Sequence, residues 1–259
     1  MTLTDLSRER HTVFVKAFTD TFPAISKMLN SAGGLLFVFG QCEPDVSTKD
    51  FNDWYDGEHA PARLTVPGIN SAIRYKAIDA ETPEWLAIYD LASPETTKSP
   101  TYLRLRDTAS DNEKALIPRL PTLQRRTYSL INETAKPDLP SGSLPGKYIL
   151  VVLWSIPKEL DAELHKWYDK EHNAEIAKVP GWLRARRYRL VDGVDLAGKG
   201  PPMEGFEYMV LHEWDRDGYV EAPEFVAAGK TPWSAKVIGG ANACIFRKFV
   251  LHKNFVQEP

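Results

Sequence analysis

Cysteine is scarce in this chain: Cys42 and Cys244 are the only two in 259 residues and lie far apart. That gives no disulfide framework and no cysteine-built zinc site; buried free thiols in a reducing compartment are the expectation, with one disulfide between the two as the alternative. An excess of charge of one sign is also missing. With 32 basic and 35 acidic residues the net charge is −3, which gives no electrostatic basis for a nucleic acid or an anionic membrane as partner. No apolar stretch approaches the roughly 20 residues that span a bilayer. The run Leu35–Phe39 is too short and too late for a signal peptide, and Asp5, Glu9 and Asp20 argue against a transit peptide. Phosphate-cradling glycine motifs are absent, as are a G-x-S-x-G elbow and a Cys–His signature. Glu58-His59 and Glu171-His172 are adjacent pairs that face different ways on a helix and make poor metal chelates. The expectation is a soluble cytoplasmic protein that works without metal or cofactor.

What is present is a core-forming composition, 43% hydrophobic and 26% charged, and a long internal repeat. The string W-Y-D-x-E-H occurs at Trp54–His59 and again at Trp167–His172, 113 positions later. The same offset relates Val66-Pro67-Gly68 to Val179-Pro180-Gly181 and Arg74-Tyr75 to Arg187-Tyr188. A constant offset over more than twenty positions marks a duplicated domain rather than a solenoid repeat. Each copy reads alike. An apolar strand (34–42, 147–157) precedes a helix (47–64, 158–178). Two strands follow (69–78 and 85–91; 182–191 and 206–214), then a helical segment (94–117, 217–238) and a closing strand (123–132, 243–252). Ser47 or Thr48 is the expected N-cap of the first helix, and each V-P-G is its stop. The order β-α-β-β-α-β is the ferredoxin-like plan. The domain reading is an N-terminal extension (1–32), a first repeat (33–135), a Pro/Ser-rich linker (136–145) and a second repeat (146–259). Gly193 to Gly205 reads as a loop specific to the second copy. One such unit leaves a sheet face bare, and two in one chain can bury those faces together. The expected fold is α+β: two tandem ferredoxin-like units forming an intramolecular barrel.

The W-Y-D-x-E-H helix, the V-P-G stop and the Arg-Tyr strand, present in both Phe51–Tyr75 and Leu164–Tyr188, resemble the dimeric α/β-barrel superfamily and, within it, EthD-like proteins. The resemblance covers about 33–134 and 146–254. It implies a barrel formed by two ferredoxin-like sheets. Superfamily members include aromatic polyketide cyclases, cofactor-free monooxygenases, small decarboxylases and isomerases, haem-degrading enzymes and proteins without known activity, so the fold does not name a reaction.

On an α-helix, Phe51, Tyr55 and His59 form one column and Leu164, Tyr168 and His172 its counterpart, while Trp54–Glu58 and Trp167–Glu171 form the next. Asp56 and Asp169 sit three residues before the histidines, close enough to fix a tautomer or raise a pKa. His59 and His172 are therefore the candidate acid/base residues at the wall of an apolar cavity. Tyr55, Tyr75, Tyr89, Tyr168, Tyr188 and His212 are candidates for holding a phenolate, enolate or carboxylate, and Arg74 and Arg187 for an anionic group. Packing or capping histidines, a core aromatic stripe and Arg–carboxylate ion pairs are the competing structural readings. Divergence around the retained histidines (Gly57 facing Lys170, Ala60-Pro61 facing Asn173-Ala174, Tyr89 facing His212) predicts one working and one vestigial site, with the working copy undecided. The leading expectation is a cofactor-free enzyme that cyclises, isomerises or decarboxylates an aromatic or polyketide-like small molecule. The alternatives are a non-catalytic binding or stress protein with an apolar cavity, and a cofactor-independent oxygenase of phenols or quinols. Association of two such chains as a homodimer is left open.

Overall fold

A computed structural model describes residues 33–200 and 205–255; the expected N-terminal extension (1–32) lies outside the described residues. In the first repeat, β1 (Gly34–Gln41) leads to α1 (Thr48–Trp54), a π-helical turn (Tyr55–His59) and α2 (Ala60–Leu64). β2 (Ala72–Ala77), β3 (Trp85–Leu91), α3 (Pro100–Asp107), α4 (Asp111–Leu116) and β4 (Thr122–Ala135) follow. The second repeat runs β5 (Tyr148–Ser155), α5 (Asp161–Trp167), a second π-helical turn (Tyr168–His172), α6 (Asn173–Ile176) and β6 (Trp182–Asp195). It closes with β7 (Tyr208–Trp214), α7 (Pro223–Ala228), α8 (Pro232–Gly240) and β8 (Ala243–Phe255).

The eight strands close into one antiparallel barrel in the order β1-β3-β2-β8-β5-β7-β6-β4. Each repeat contributes four consecutive staves. The two seams are β2 against β8 and β4 against β6, the latter running from Gln124↔Asp195 to Ala135↔Arg184. Closure leaves no stave with an unpaired edge. Every residue of β1 is buried, because one of its faces lines the barrel interior and the other lies under helices. Leu35, Phe37, Phe39, Ile73, Tyr75, Ile149, Val151, Tyr188 and Leu211 belong to the cluster that fills the barrel. Leu36, Val38, Tyr55 and Tyr89 pack in the helix–sheet layer of the first repeat, and Leu150, Val152, Tyr168 and Trp167 in that of the second.

Local signals explain the helix ends. Ser47 caps α1, its hydroxyl accepting from the Asp50 backbone N–H. Gly68 and Gly181, the last residues of the two V-P-G stops, adopt φ of +92° and +82°, the left-handed conformation that glycine takes without strain. The region 193–205, expected to be a loop, begins as strand: β6 continues to Asp195 because Gly193 and Val194 still pair with Arg126 and Arg125 on β4.

Candidate active site in the second helix–sheet layer

The W-Y-D-x-E-H string departs from α-helical spacing. In both repeats its last five residues form a π-turn. The turn sets Trp54 and His59 in ring contact (centroids 4.5 Å apart) and stacks Trp167 on His172 (4.0 Å, 26° between planes). Pro61 is not its cause, because the second repeat makes the same turn with Asn173-Ala174 in the matching place. π-turns of this kind recur at functional positions.

Most letters of the motif have a structural partner, the same in both copies. Tyr55 and Tyr168 each lie 4.4 Å, ring centroid to guanidinium carbon, under Arg74 and Arg187. Asp56 binds Arg74 and Asp169 binds Arg187, the latter at 2.8 Å. Glu58 accepts from Ser110 and Glu171 from Thr231, the N-cap residues of α4 and α8, so the glutamates clasp the two helices of each repeat. The expectation that Asp56 and Asp169 steer the histidines is corrected: both carboxylates are taken by the arginines. Arg74 and Arg187 are themselves committed to those partners and to aromatic rings, Arg74 also lying over Phe51 and Trp85.

The histidines differ between the copies. His59 is 3% exposed, and its Nδ1 lies 3.0 Å from Glu113 Oε2, which also accepts from Trp54 Nε1 at 3.1 Å. Arg63 stands 3.6 Å from the other Glu113 oxygen. Burial, with Arg63 adding to it, lowers the His59 pKa to about 4. Burial pushes Glu113 upward, but the hydrogen bond and charge of His59, with Arg63 and Trp54, outweigh it and bring Glu113 to about 2. Glu113 is the third residue after the N-cap Ser110, and Ser234 is the third after Thr231. Trp167 Nε1 donates to Ser234 Oγ at 3.1 Å, as Trp54 does to Glu113. The Arg63 position holds Ile176 in the second repeat. Exchange of an Arg–Glu pair for Ile and Ser removes the partner of the second histidine and the side chains that would fill the space.

That space is a cavity of about 90 Å³ bordered by Val152, Trp154, Trp167, Tyr168, His172 and His212, with Phe225, Ile238 and Phe246 at one side. Phe246 is 51% exposed and Ile238 38%, so this side opens outward. The His172 and His212 rings are 6.5 Å apart, centroid to centroid, and Nδ1 of each has no hydrogen-bond partner. Burial lowers both to a pKa of about 3, the neighbouring His212 and Arg187 adding to the effect on His172. Both imidazoles are therefore neutral at physiological pH, which for His172 corrects the upward shift expected from Asp169. An unpartnered buried ring nitrogen is costly, and both of these rings border the cavity.

The candidate histidines and tyrosines thus divide into three groups. His172, His212 and Tyr168 converge on the cavity. His59, Tyr55 and Tyr89 occupy the matching layer of the first repeat, where the Tyr89 hydroxyl donates to that of Tyr55 at 3.1 Å. Tyr75 and Tyr188 lie on the other face of the sheet, inside the barrel, because the strand alternates Arg74 outward with Tyr75 inward, and Arg187 with Tyr188. The Tyr75 hydroxyl donates to the Gly146 carbonyl at 3.2 Å; neither tyrosine meets the histidines. Glu113, Ser234 and Trp154 are the residues that sequence reasoning missed. The signal was the S-x-x-E cap at Ser110–Glu113 opposite T-x-x-S at Thr231–Ser234, hidden because the offset there is 121 rather than 113. Among the described residues no group of three or more His, Cys, Asp or Glu side chains is placed to hold a metal ion, and no helix is long and apolar enough to cross a membrane.

No protein-family model matches the chain, and no curated protein does. Among solved structures, an anthrone oxidase-like protein superposes with a TM-score of 0.58 at 13% identity, over 86% of this chain and 92% of that one. A candidate monooxygenase from Lactobacillus acidophilus gives 0.51 at 10% identity, over 86% and 95%. This chain has the dimeric α/β-barrel fold. An EthD-family protein from Bacillus halodurans aligns at 22% identity over 38% of this chain and 94% of that one, with a TM-score of 0.28. At 13% and 10% identity the likeness to the first two is one of fold alone.

Proposed function

We propose that this dimeric α/β-barrel is a cofactor-independent oxygenase of a small phenol or quinol, and that its working site is the cavity of the second repeat. The observation that carries the reading is the pair of neutral, buried imidazoles, His172 and His212, that border an otherwise apolar cavity. Such a cavity favours an uncharged ring and dissolved dioxygen over ionic substrates. An imidazole lone pair takes the phenolic proton, and the resulting phenolate–imidazolium pair stabilises itself where neither ion alone would persist. The electron-rich ring carbon then adds dioxygen. The imidazolium returns its proton to the peroxide, and water leaves as the carbon becomes a carbonyl, so phenol plus dioxygen gives quinone plus water. The names of the two structural neighbours, an anthrone oxidase-like protein and a candidate monooxygenase, favour oxygenation over the cyclisation, isomerisation or decarboxylation expected first; nothing supports the lyase and polyketide readings.

The test is oxygen uptake in an electrode chamber with a panel of phenols, hydroquinones and naphthols. Uptake by the wild-type protein should fall by about 10²-fold or more in His172→Gln and His212→Gln, the scale of general acid–base catalysis, and stay within about twofold in His59→Gln. Undiminished uptake in the His172→Gln, His212→Gln double variant would refute the assignment. Ring binding without any uptake would favour a non-catalytic carrier, consistent with the apolar lining.

A further inference from the structure

A third polar residue, Tyr168, lines the cavity. The Tyr168 hydroxyl oxygen accepts from Trp154 Nε1 at 2.9 Å, which occupies its acceptor side. Its own hydrogen has no acceptor among the described residues. The Arg187 guanidinium lies over the Tyr168 ring and is held there by Asp169 at 2.8 Å and by His165 Nδ1 at 2.7 Å, with Asn132 bracing Asp169 at 3.0 Å. A cation on the ring face and a donor on the oxygen both draw electron density from the O–H bond, which strengthens it as a donor. Burial raises the Tyr168 pKa, so the hydrogen stays in place to be donated.

The corresponding parts of the first repeat are arranged otherwise. Tyr55 accepts from Tyr89 rather than from a tryptophan, and Gly40 stands on β1 where Trp154 stands on β5, each paired with the first residue of the neighbouring strand, Trp85 or Tyr208. The exchanges Gly40 to Trp154 and Tyr89 to His212 replace a tyrosine donor to the tyrosine oxygen by a tryptophan donor. Tyr168 and His212 both line the same cavity.

We propose that Tyr168 is the oxyanion donor of this site, and that the cavity takes a single-ring phenol or enol bound through its oxygen. The proposal rests on reading the cavity as a substrate site and adds the chemistry of recognition. Tyr168 donates to the ligand oxygen while an imidazole, His172 or His212, accepts the proton that this oxygen carries. The ligand proton moves to the imidazole, the negative charge stays on the ligand oxygen, and the Tyr168 hydrogen remains on tyrosine. A ring of the same shape without the oxygen satisfies neither group.

Calorimetric titration of the full chain with p-cresol and with toluene separates the possibilities. The wild-type protein should bind p-cresol more tightly than toluene. Tyr168→Phe should weaken p-cresol by about 10- to 100-fold, the span expected for a hydrogen bond to a charged oxygen, and leave toluene within about twofold. Equal losses for both ligands, or no loss for p-cresol, overturn the proposal. Should Tyr168→Phe fail to fold, Trp154→Phe serves in its place: it frees the acceptor side of Tyr168 and should narrow the preference for p-cresol over toluene several-fold, and an unchanged preference overturns the proposal. If neither ligand binds the wild-type protein, the cavity is not a substrate site and both readings fall. Selective p-cresol binding without oxygen uptake sustains the Tyr168 assignment and removes only the oxygenase.

Discussion

Acidification from pH 7 to pH 5 should destabilise this protein far more than its near-neutral charge suggests. Three histidines are held neutral by burial: His59 with a pKa of about 4, and His172 and His212 each with a pKa of about 3. In the unfolded chain each returns to about 6.5. A folded-state pKa below the unfolded one means that the unfolded chain binds the extra proton. Stability is therefore full above pH 6.5 and is lost as the pH falls from there toward the folded value. Between pH 7 and pH 5 each fully buried histidine should cost about 2 kcal/mol. His59 and His212, 3% and 2% exposed, should carry that full amount, and the partly exposed His172 somewhat less. Together they reach ~5 kcal/mol, a large share of the 5–15 kcal/mol by which ordinary domains are stable. The assay is urea unfolding followed by tryptophan fluorescence at pH 7, 6 and 5, a range above the titration of the carboxylates. His212→Phe should flatten the pH dependence by about 2 kcal/mol over that interval. A wild-type slope below about 1 kcal/mol across the two pH units, or a His212→Phe slope equal to wild type, would show that these imidazoles are not buried as described.

Two further expectations concern the residues that distinguish the repeats. Glu113→Ala should cost ~2–4 kcal/mol in urea unfolding, because the Trp54 and His59 donors and the Arg63 charge lose their acceptor together; a loss under 1 kcal/mol would contradict the network. The double variant Ser234→Glu, Ile176→Arg should rebuild the first repeat's ion pair in the second, re-tie His172 Nδ1, raise its pKa in an NMR titration and abolish p-cresol binding. Retained binding would mean that the cavity does not depend on this exchange.

Much of the barrel was legible because duplication writes its own register. The paired W-Y-D-x-E-H, V-P-G and Arg-Tyr strings place a helix, its stop and a strand at the same offset in both halves, and the apolar runs in β1 and β5 report strands buried on both faces. The α+β barrel follows from that order. The π-turns did not show, because nothing in Tyr55–His59 or Tyr168–His172 distinguishes a five-residue turn from an α-helical one until the tryptophan and histidine rings are seen in contact. The site was half legible for the same reason. Helical spacing put Asp56 beside His59, whereas strand packing gives Asp56 to Arg74 and brings Glu113 from a distant helix. Tyr75 and Tyr188 were assigned to the cavity by their place in the repeat, and strand alternation sends them into the barrel. Residue type singled out His172, His212 and Tyr168, which line one cavity; only the packing of α8 against α5 shows why the second copy, and not the first, leaves its imidazole without a partner.

The two seams of the barrel, β2 with β8 and β4 with β6, carry a consequence for how such a protein can change. When two identical chains meet to form this architecture, any substitution is made twice, and a residue that suits one pocket is imposed on the other. Here the seams join halves of a single chain, so Glu113 and Ser234 can differ while the staves between them stay matched. One half is free to become a solid buttress, with its histidine locked into the packing, and the other to keep a hollow. Covalent continuity thereby permits a division of labour that a symmetric pair is denied.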